Sequence, residues 1–112
     1  MPYFPKEIRT YTLSNGRTPY QACYDQLQDR QVKATVFHRL TCVEAGKFGD
    51  FKRLDTDLYA LRIPYGTGVR IYFGTVQNSV VLLCGETEGT QQRDIRKAQN
   101  YWNDFKKRME ED

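Results

Sequence analysis

The sequence predicts an α+β domain in two packed layers: a strand, a helix hairpin, an antiparallel β-meander and a C-terminal helix. Three features predict it. Val32, Val36, Leu40 and Val43 recur at spacings of four, four and three, the stripe of a helix with one buried face. After Gly46 the pattern turns from helical to alternating across "LYALRIPY", "VRIYFGTV" and "SVVLLCG". Ile95, Ala98, Trp102, Phe105 and Met109 then return to spacings of three and four, the apolar face of a last helix that packs on the sheet. A chain of 112 residues suits a single domain, 1–112, with one modest core.

Taken in order, "KEIRTYTLS" alternates imperfectly and reads as a first strand, closed by a turn at Asn15-Gly16. Thr18 as N-cap, Pro19 at the first helical position and Gln21 three residues after the cap form a capping-box pattern, so a helix starts at Pro19 and runs to about Leu27. Asp29 caps a second helix from Arg30 to about Ala45, and Gly46 stops it. "FKRL" is a short strand. Gly66-Thr67-Gly68 joins the next two strands, and Gln77-Asn78 turns into the strand "SVVLLCG". Thr90 caps the final helix.

The composition narrows the function. Hydrophobic residues make up 39% and charged residues 28%, an ordinary globular balance. The longest apolar run is too short to span a bilayer, and "MPYFPKEIRTY" lacks the apolar core of a signal peptide, so a cytoplasmic protein is expected. Cys23, Cys42 and Cys84 are irregularly spaced and suggest neither a disulfide framework nor a zinc site. A single histidine, His38, excludes a His-pair ribonuclease, and no motif calls for a metal or other cofactor. Net charge is +3 despite the acidic ending Glu110, Glu111 and Asp112. Six Lys or Arg against two acids lie between Arg30 and Arg53, a basic stretch that suits a phosphate-rich or an acidic protein partner.

The stretch "LRIPYGTGVRIYFGT" carries the chemistry. With a three-residue loop from Gly66 to Gly68, Arg62 faces Tyr72 and Pro64 faces Arg70 across the strands. Strand alternation puts Leu61, Ile63, Val69, Ile71 and Phe73 on the core face and Arg62, Arg70 and Tyr72 on the other. Two guanidiniums and a phenol on one rigid face suit a phosphodiester, because the arginine fork matches phosphate oxygens. The structural alternative is an Arg–Tyr stack with salt bridges to Asp55 or Asp57. Lys52 joins the group if its strand pairs alongside.

The segments "GDFKRL", "YALRIPYGTGVRIYFGT", "VVLLCG" and "TQQRDIRKAQNYW" follow one another in an order that resembles the RelE/HigB-like addiction module killer toxins of bacterial type II toxin–antitoxin systems, in the RelE/ParE superfamily. The resemblance covers Gly49 to Trp102. It implies a metal-independent endoribonuclease that enters the ribosomal A site and cuts mRNA, the RNA 2′-hydroxyl attacking the adjacent phosphate. By this resemblance Arg70 and Arg62 stabilise the developing charge and Tyr72 positions substrate. Lys52, Arg53, Arg39 and Lys47 are the expected RNA-binding residues. The implied partners are a small helix-turn-helix antitoxin, mRNA and the ribosome, and operator DNA through the antitoxin. Tyr101, Trp102 and Phe105 are candidate antitoxin contacts, with core packing the alternative for Trp102 and Phe105.

This sequence departs from that pattern in two places. Glu86 and Glu88 follow the third meander strand where the toxins are commonly Gly and Lys, and Cys42 stands where Arg is frequent. Both departures remove positive charge beside the RNA face, which predicts attenuated cleavage. Two other functions suit the same fold: a non-catalytic antitoxin-binding or DNA-binding co-repressor module, and a ParE-like gyrase inhibitor.

Overall fold

Among the described residues there are eight elements: strands Glu7–Thr10 (β1), Phe51–Asp55 (β2), Leu58–Ile63 (β3), Val69–Val76 (β4) and Ser79–Glu86 (β5), and helices Pro19–Gln26 (α1), Arg30–Glu44 (α2) and Gln91–Glu111 (α3). They come from a computed structural model that describes residues 5–64, 68–86 and 91–111, and only the backbone of Gln91 and Gln92. Thr90, Glu88 and the loop residues Tyr65, Gly66 and Thr67 lie outside the described residues.

The strands form one sheet in the order β1-β5-β4-β3-β2. β2 to β5 are the expected antiparallel meander. β1 adds itself beside β5 in parallel, which the long connection through the helices permits. The α+β class holds, but the domain has three layers rather than two. Tyr20, Leu27, Val32, Val36 and Val43 of the helix hairpin pack with Leu61, Ile63, Val69, Ile71, Phe73, Val80 and Leu82 on one face. Ala98 and Trp102 of α3 pack with Leu58, Ala60, Tyr72, Val81 and Leu83 on the other. A central sheet covered on both sides needs apolar residues at both parities, which "SVVLLCG" supplies as an unbroken run.

Local chemistry explains the helix ends. Asp29 caps α2, its side chain accepting from the Gln31 N–H at 2.8 Å. α2 closes in a Schellman turn: Gly46, at φ +92°, donates to the Val43 carbonyl and Lys47 donates to that of Cys42. Thr18 occupies the N-cap position of α1 without a side-chain bond, and Gln21 reaches forward to Asp25 instead of back to the cap. The capping box is therefore not made. On the opposite face, Trp102 lies on the bare backbone of Gly74, where a Cβ would come within 2.4 Å of the indole. Among the described residues, no helix is long and apolar enough to cross a membrane.

Two irregularities of the sheet position the site. The β3–β4 strands end at the pair Ile63–Val69, so the connection runs from Pro64 to Gly68 rather than over three residues. Pro64 has no N–H to extend the ladder. Arg62 therefore pairs with Arg70, not with Tyr72. In the β4–β5 pair, Tyr72 faces Cys84 while Phe73 faces Leu82, a β-bulge at Leu83. Val80 and Leu82 face the helix hairpin, but beyond the bulge the even-numbered positions turn to the α3 face. The bulge thus brings Glu86 to the side of Arg70 and Tyr72.

Candidate functional site

One row of side chains crosses the end of the sheet. Arg62 on β3 stands directly opposite Arg70 on β4, and Glu86 on β5 stands opposite Arg70. Asp50, at the mouth of β2, completes the row, with the Arg62 N–H donating to its carbonyl at 3.0 Å. The order is acid, base, base, acid. Like charges placed directly opposite in a sheet repel, and each arginine here is held by the acid on its outer side. Arg62 donates from Nε at 3.2 Å and Nη2 at 2.9 Å to Asp50 Oδ1. Arg70 donates from Nη1 to Glu86 Oε1 at 2.7 Å. No acid is placed between the two guanidiniums in that row, and both line an open cleft of about 430 Å³ with Asp50, Pro64, Gly68 and Val69.

The two pairs differ in exposure. The Arg62 and Asp50 side chains are 50% and 49% exposed, whereas Arg70 is 38% exposed and Glu86 only 4%. Among the described residues, the acids that hold these two arginines are Asp50 and Glu86, not Asp55 or Asp57. Glu86 Oε1 also accepts from the Tyr72 hydroxyl at 3.1 Å. Tyr72 itself is fully buried, so it shares the face of Arg62 and Arg70 but is linked to the cleft through Glu86 and Arg70. Burial, reinforced by the Glu86 charge and its hydrogen bond, pushes the Tyr72 phenol far above its ordinary range, and it stays protonated at any physiological pH.

Glu86 has a second carboxyl neighbour, Asp94 in the first turn of α3. Burial alone would raise Glu86, but hydrogen bonds to Asp94, Arg70 and Tyr72 outweigh it and hold Glu86 below the usual carboxylate range. Asp94 moves the other way, up to about 6, through its hydrogen bond with Glu86 and then through burial. With both groups ionised, the buried Oε2 of Glu86 has no donor to meet. Asp94 hydrogen-bonds the same carboxyl, so the pair shares a single proton below about pH 6. Asp94 and Lys97 also line a cavity of about 260 Å³ with Cys23 and Cys84. Both thiols are pushed up chiefly by burial, Cys84 to about 12, and neither is a ready nucleophile.

The other expected residues fall in different places. Arg39 spends its guanidinium on the carbonyls of Arg62 (2.7 Å), Phe48 (2.9 Å) and Asp50 (3.0 Å), strapping α2 to the start of the hairpin. Gly49, at φ +67°, makes room for it, since a Cβ there would meet Arg39 at 3.1 Å. Lys52 pairs with Ala60 and so shares the α3-side face with Arg62, one row further in. Arg53 has the opposite parity and lies on the helix-hairpin side at the sheet edge, its Nε donating to the Asp55 carbonyl at 3.3 Å. Lys47 is exposed just after the turn that ends α2. Trp102 is core, the packing alternative weighed for it from the sequence, while Tyr101 and Phe105 are half-buried.

Sequence reasoning missed Asp50 and Asp94, and gave Glu86 only the role of a repelling acid. Asp50 follows from the register once Phe51 is known to pair with Leu61. Glu86 reaches Arg70 only because of the bulge, which leaves no mark in the residue pattern.

No protein-family model matches the chain. An uncharacterized protein of Haemophilus influenzae is 35% identical over 81 residues, covering 70% of this chain and 81% of that protein. The chain belongs to that protein's family. The match carries no activity with it, so the chemistry of the site must come from the row Asp50–Arg62–Arg70–Glu86.

Proposed function

We propose that this chain is the toxin of a type II toxin–antitoxin pair, a RelE/HigB-like endoribonuclease that cuts mRNA on the ribosome, with its cleavage attenuated by Glu86. The observation that carries this reading is the direct pairing of Arg62 with Arg70 at the mouth of an open cleft. A phosphodiester seated between them meets two planar donor forks matched to its oxygens. In the reaction, the 2′-oxygen forms a bond to phosphorus and the bond to the 5′-oxygen breaks. Charge builds on the equatorial oxygens in the transition state, where fixed guanidiniums lower its energy most. Lys52 adds positive charge one row away, and Arg39 fixes the backbone that carries Arg62. The order of elements and the motifs from Gly49 to Trp102 support the same reading, and with it a small helix-turn-helix antitoxin as partner.

The contact that favours a second reading is the hold of Glu86 on both Arg70 and Tyr72. A chain whose best guanidinium is internally paired suits a non-catalytic module that binds the antitoxin or represses with it. Expression in a bacterial host separates the two readings. The nuclease reading expects growth arrest, codon-aligned cuts by primer extension, and loss of both in Arg70→Ala. Tight antitoxin binding with neither arrest nor cuts, even in Glu86→Gln, favours the non-catalytic module. Cleaved DNA and an SOS response without mRNA cuts would identify a gyrase poison. Arrest by Arg70→Ala equal to that of the unaltered chain refutes the assigned site.

A further inference from the structure

The acids at the two ends of the row are not equivalent. Asp50 stands in solvent, where an incoming anion competes with it at little cost. Glu86 is buried, and it already occupies Arg70 with a carboxylate. A carboxylate paired with a guanidinium offers the same oxygen-to-fork geometry as a phosphate does. Glu86 is therefore an internal competitor for the anion that Arg70 would bind.

We propose that Glu86 and Asp94 form a carboxyl pair that gates the cleft, its shared proton setting how tightly Arg70 and Arg62 hold an oxyanion such as a phosphodiester. The proposal rests on the reading of the cleft as a phosphodiester site and adds its regulation. Three geometric facts carry it. The bulge at Leu83 aims Glu86 at Arg70 instead of at the helix hairpin. Glu86 Oε1 is taken by Arg70 and Tyr72. The other oxygen, Oε2, is buried without a hydrogen-bond partner among the described residues, and Asp94 is a hydrogen-bonding neighbour of the same carboxyl.

The charged and titratable neighbours give the direction of the effect. Arg70 and Tyr72 face Glu86 from β4, Asp94 with its neighbours Arg93 and Lys97 from α3, and Cys23 from α1, with Cys84 preceding it on β5. Tyr72, Cys23 and Cys84 are all pushed upward and stay neutral. Asp94 is thus the group that changes charge near neutrality. Below about pH 6 the pair carries one negative charge, and above it two. The second charge lies on the same side of the sheet as the cleft and opposes an anion. Oxyanion affinity therefore falls as pH rises through about 6.

The test uses the full chain and two probes whose charge is constant between pH 5 and 8: sulfate, and a short 2′-deoxy oligonucleotide that cannot be cleaved by its own 2′-hydroxyl. Binding is measured at constant ionic strength for the unaltered chain, Glu86→Gln and Asp94→Asn, and the Asp94 carboxyl is titrated by carbon NMR. Both substitutions keep the side-chain size and remove the charge, replacing one carboxylate oxygen by an amide donor. The expected result is affinity roughly three- to tenfold higher at pH 5 than at pH 8 for the unaltered chain. Asp94→Asn should bind equally at both pH values, and Glu86→Gln should bind more tightly than the unaltered chain at pH 8. An Asp94 that titrates at its ordinary value overturns the gate whatever binds. Binding that is indifferent to pH and to both substitutions overturns the gate alone. No binding by any variant, with Asp94 still titrating near 6, overturns the phosphodiester site and the gate with it.

Discussion

Arg62 and Arg70 are a matched pair in sequence and in register, yet they live in different surroundings. Arg62 shares an ion pair with Asp50 in which both side chains are about half exposed. Arg70 shares one with a carboxylate that is 4% exposed and also bonded to a buried tyrosine. Exposed pairs contribute little because water and salt screen them and the side chains lose freedom. Removing one member of a buried pair costs far more, because its partners lose bonds that water does not replace. Two identical side chains facing each other are thus one available and one withheld, the withheld one held from a neighbouring strand.

The widest separation should appear on truncating the two acids. Glu86→Ala strips a bond from Arg70 and leaves the buried Tyr72 hydroxyl without its acceptor. Urea unfolding should show a loss of about 2–3 kcal/mol. Tyr72→Phe removes one of those bonds and keeps the ring in place, for an expected loss of about 1 kcal/mol. Asp50→Ala should cost less than about 1 kcal/mol, and this small difference should shrink in high salt. Equal costs for Glu86→Ala and Asp50→Ala would dissolve the distinction between the two arginines.

A smaller effect is pH-dependent. Asp94 is raised to about 6 in the folded chain, so between its unfolded value of 3.8 and about 6 the folded state binds more protons. Stability contributed by this group therefore falls as pH rises through that window. Asp94→Asn should raise the melting temperature modestly at pH 8 and scarcely change it near pH 4, as thermal scans at both values would reveal. Glu86, lowered in the fold, works in the opposite sense: its contribution is present above the ordinary carboxylate range and is lost in acid.

Much of the fold was legible because periodicity reports which face of an element is buried. The Val32–Val43 stripe, the meander and the Ala98–Trp102 face all lie where their spacing puts them. The second apolar face of the sheet was written in the unbroken run Val80–Cys84 and in Leu58, Ala60 and Tyr72, yet a two-layer expectation left no place for it. The site was half legible. Parity put Arg62, Arg70 and Tyr72 on one face, and it does not depend on the length of the loop. The register does, and Pro64 moved it by shortening the ladder. Glu86 was out of reach, because a bulge reverses parity within a strand while both Leu83 and Cys84 remain apolar and buried.

On the proposed reading, Arg70 is the working guanidinium and Glu86 restrains it. Primer extension on mRNA from cells expressing the unaltered chain, Glu86→Gln, and Glu86→Gln with Arg70→Ala tests it most directly. The expected result is codon-aligned cuts that are stronger in Glu86→Gln than in the unaltered chain and absent from the double variant. Cuts that persist undiminished in the double variant, or no cuts even in Glu86→Gln, would contradict it.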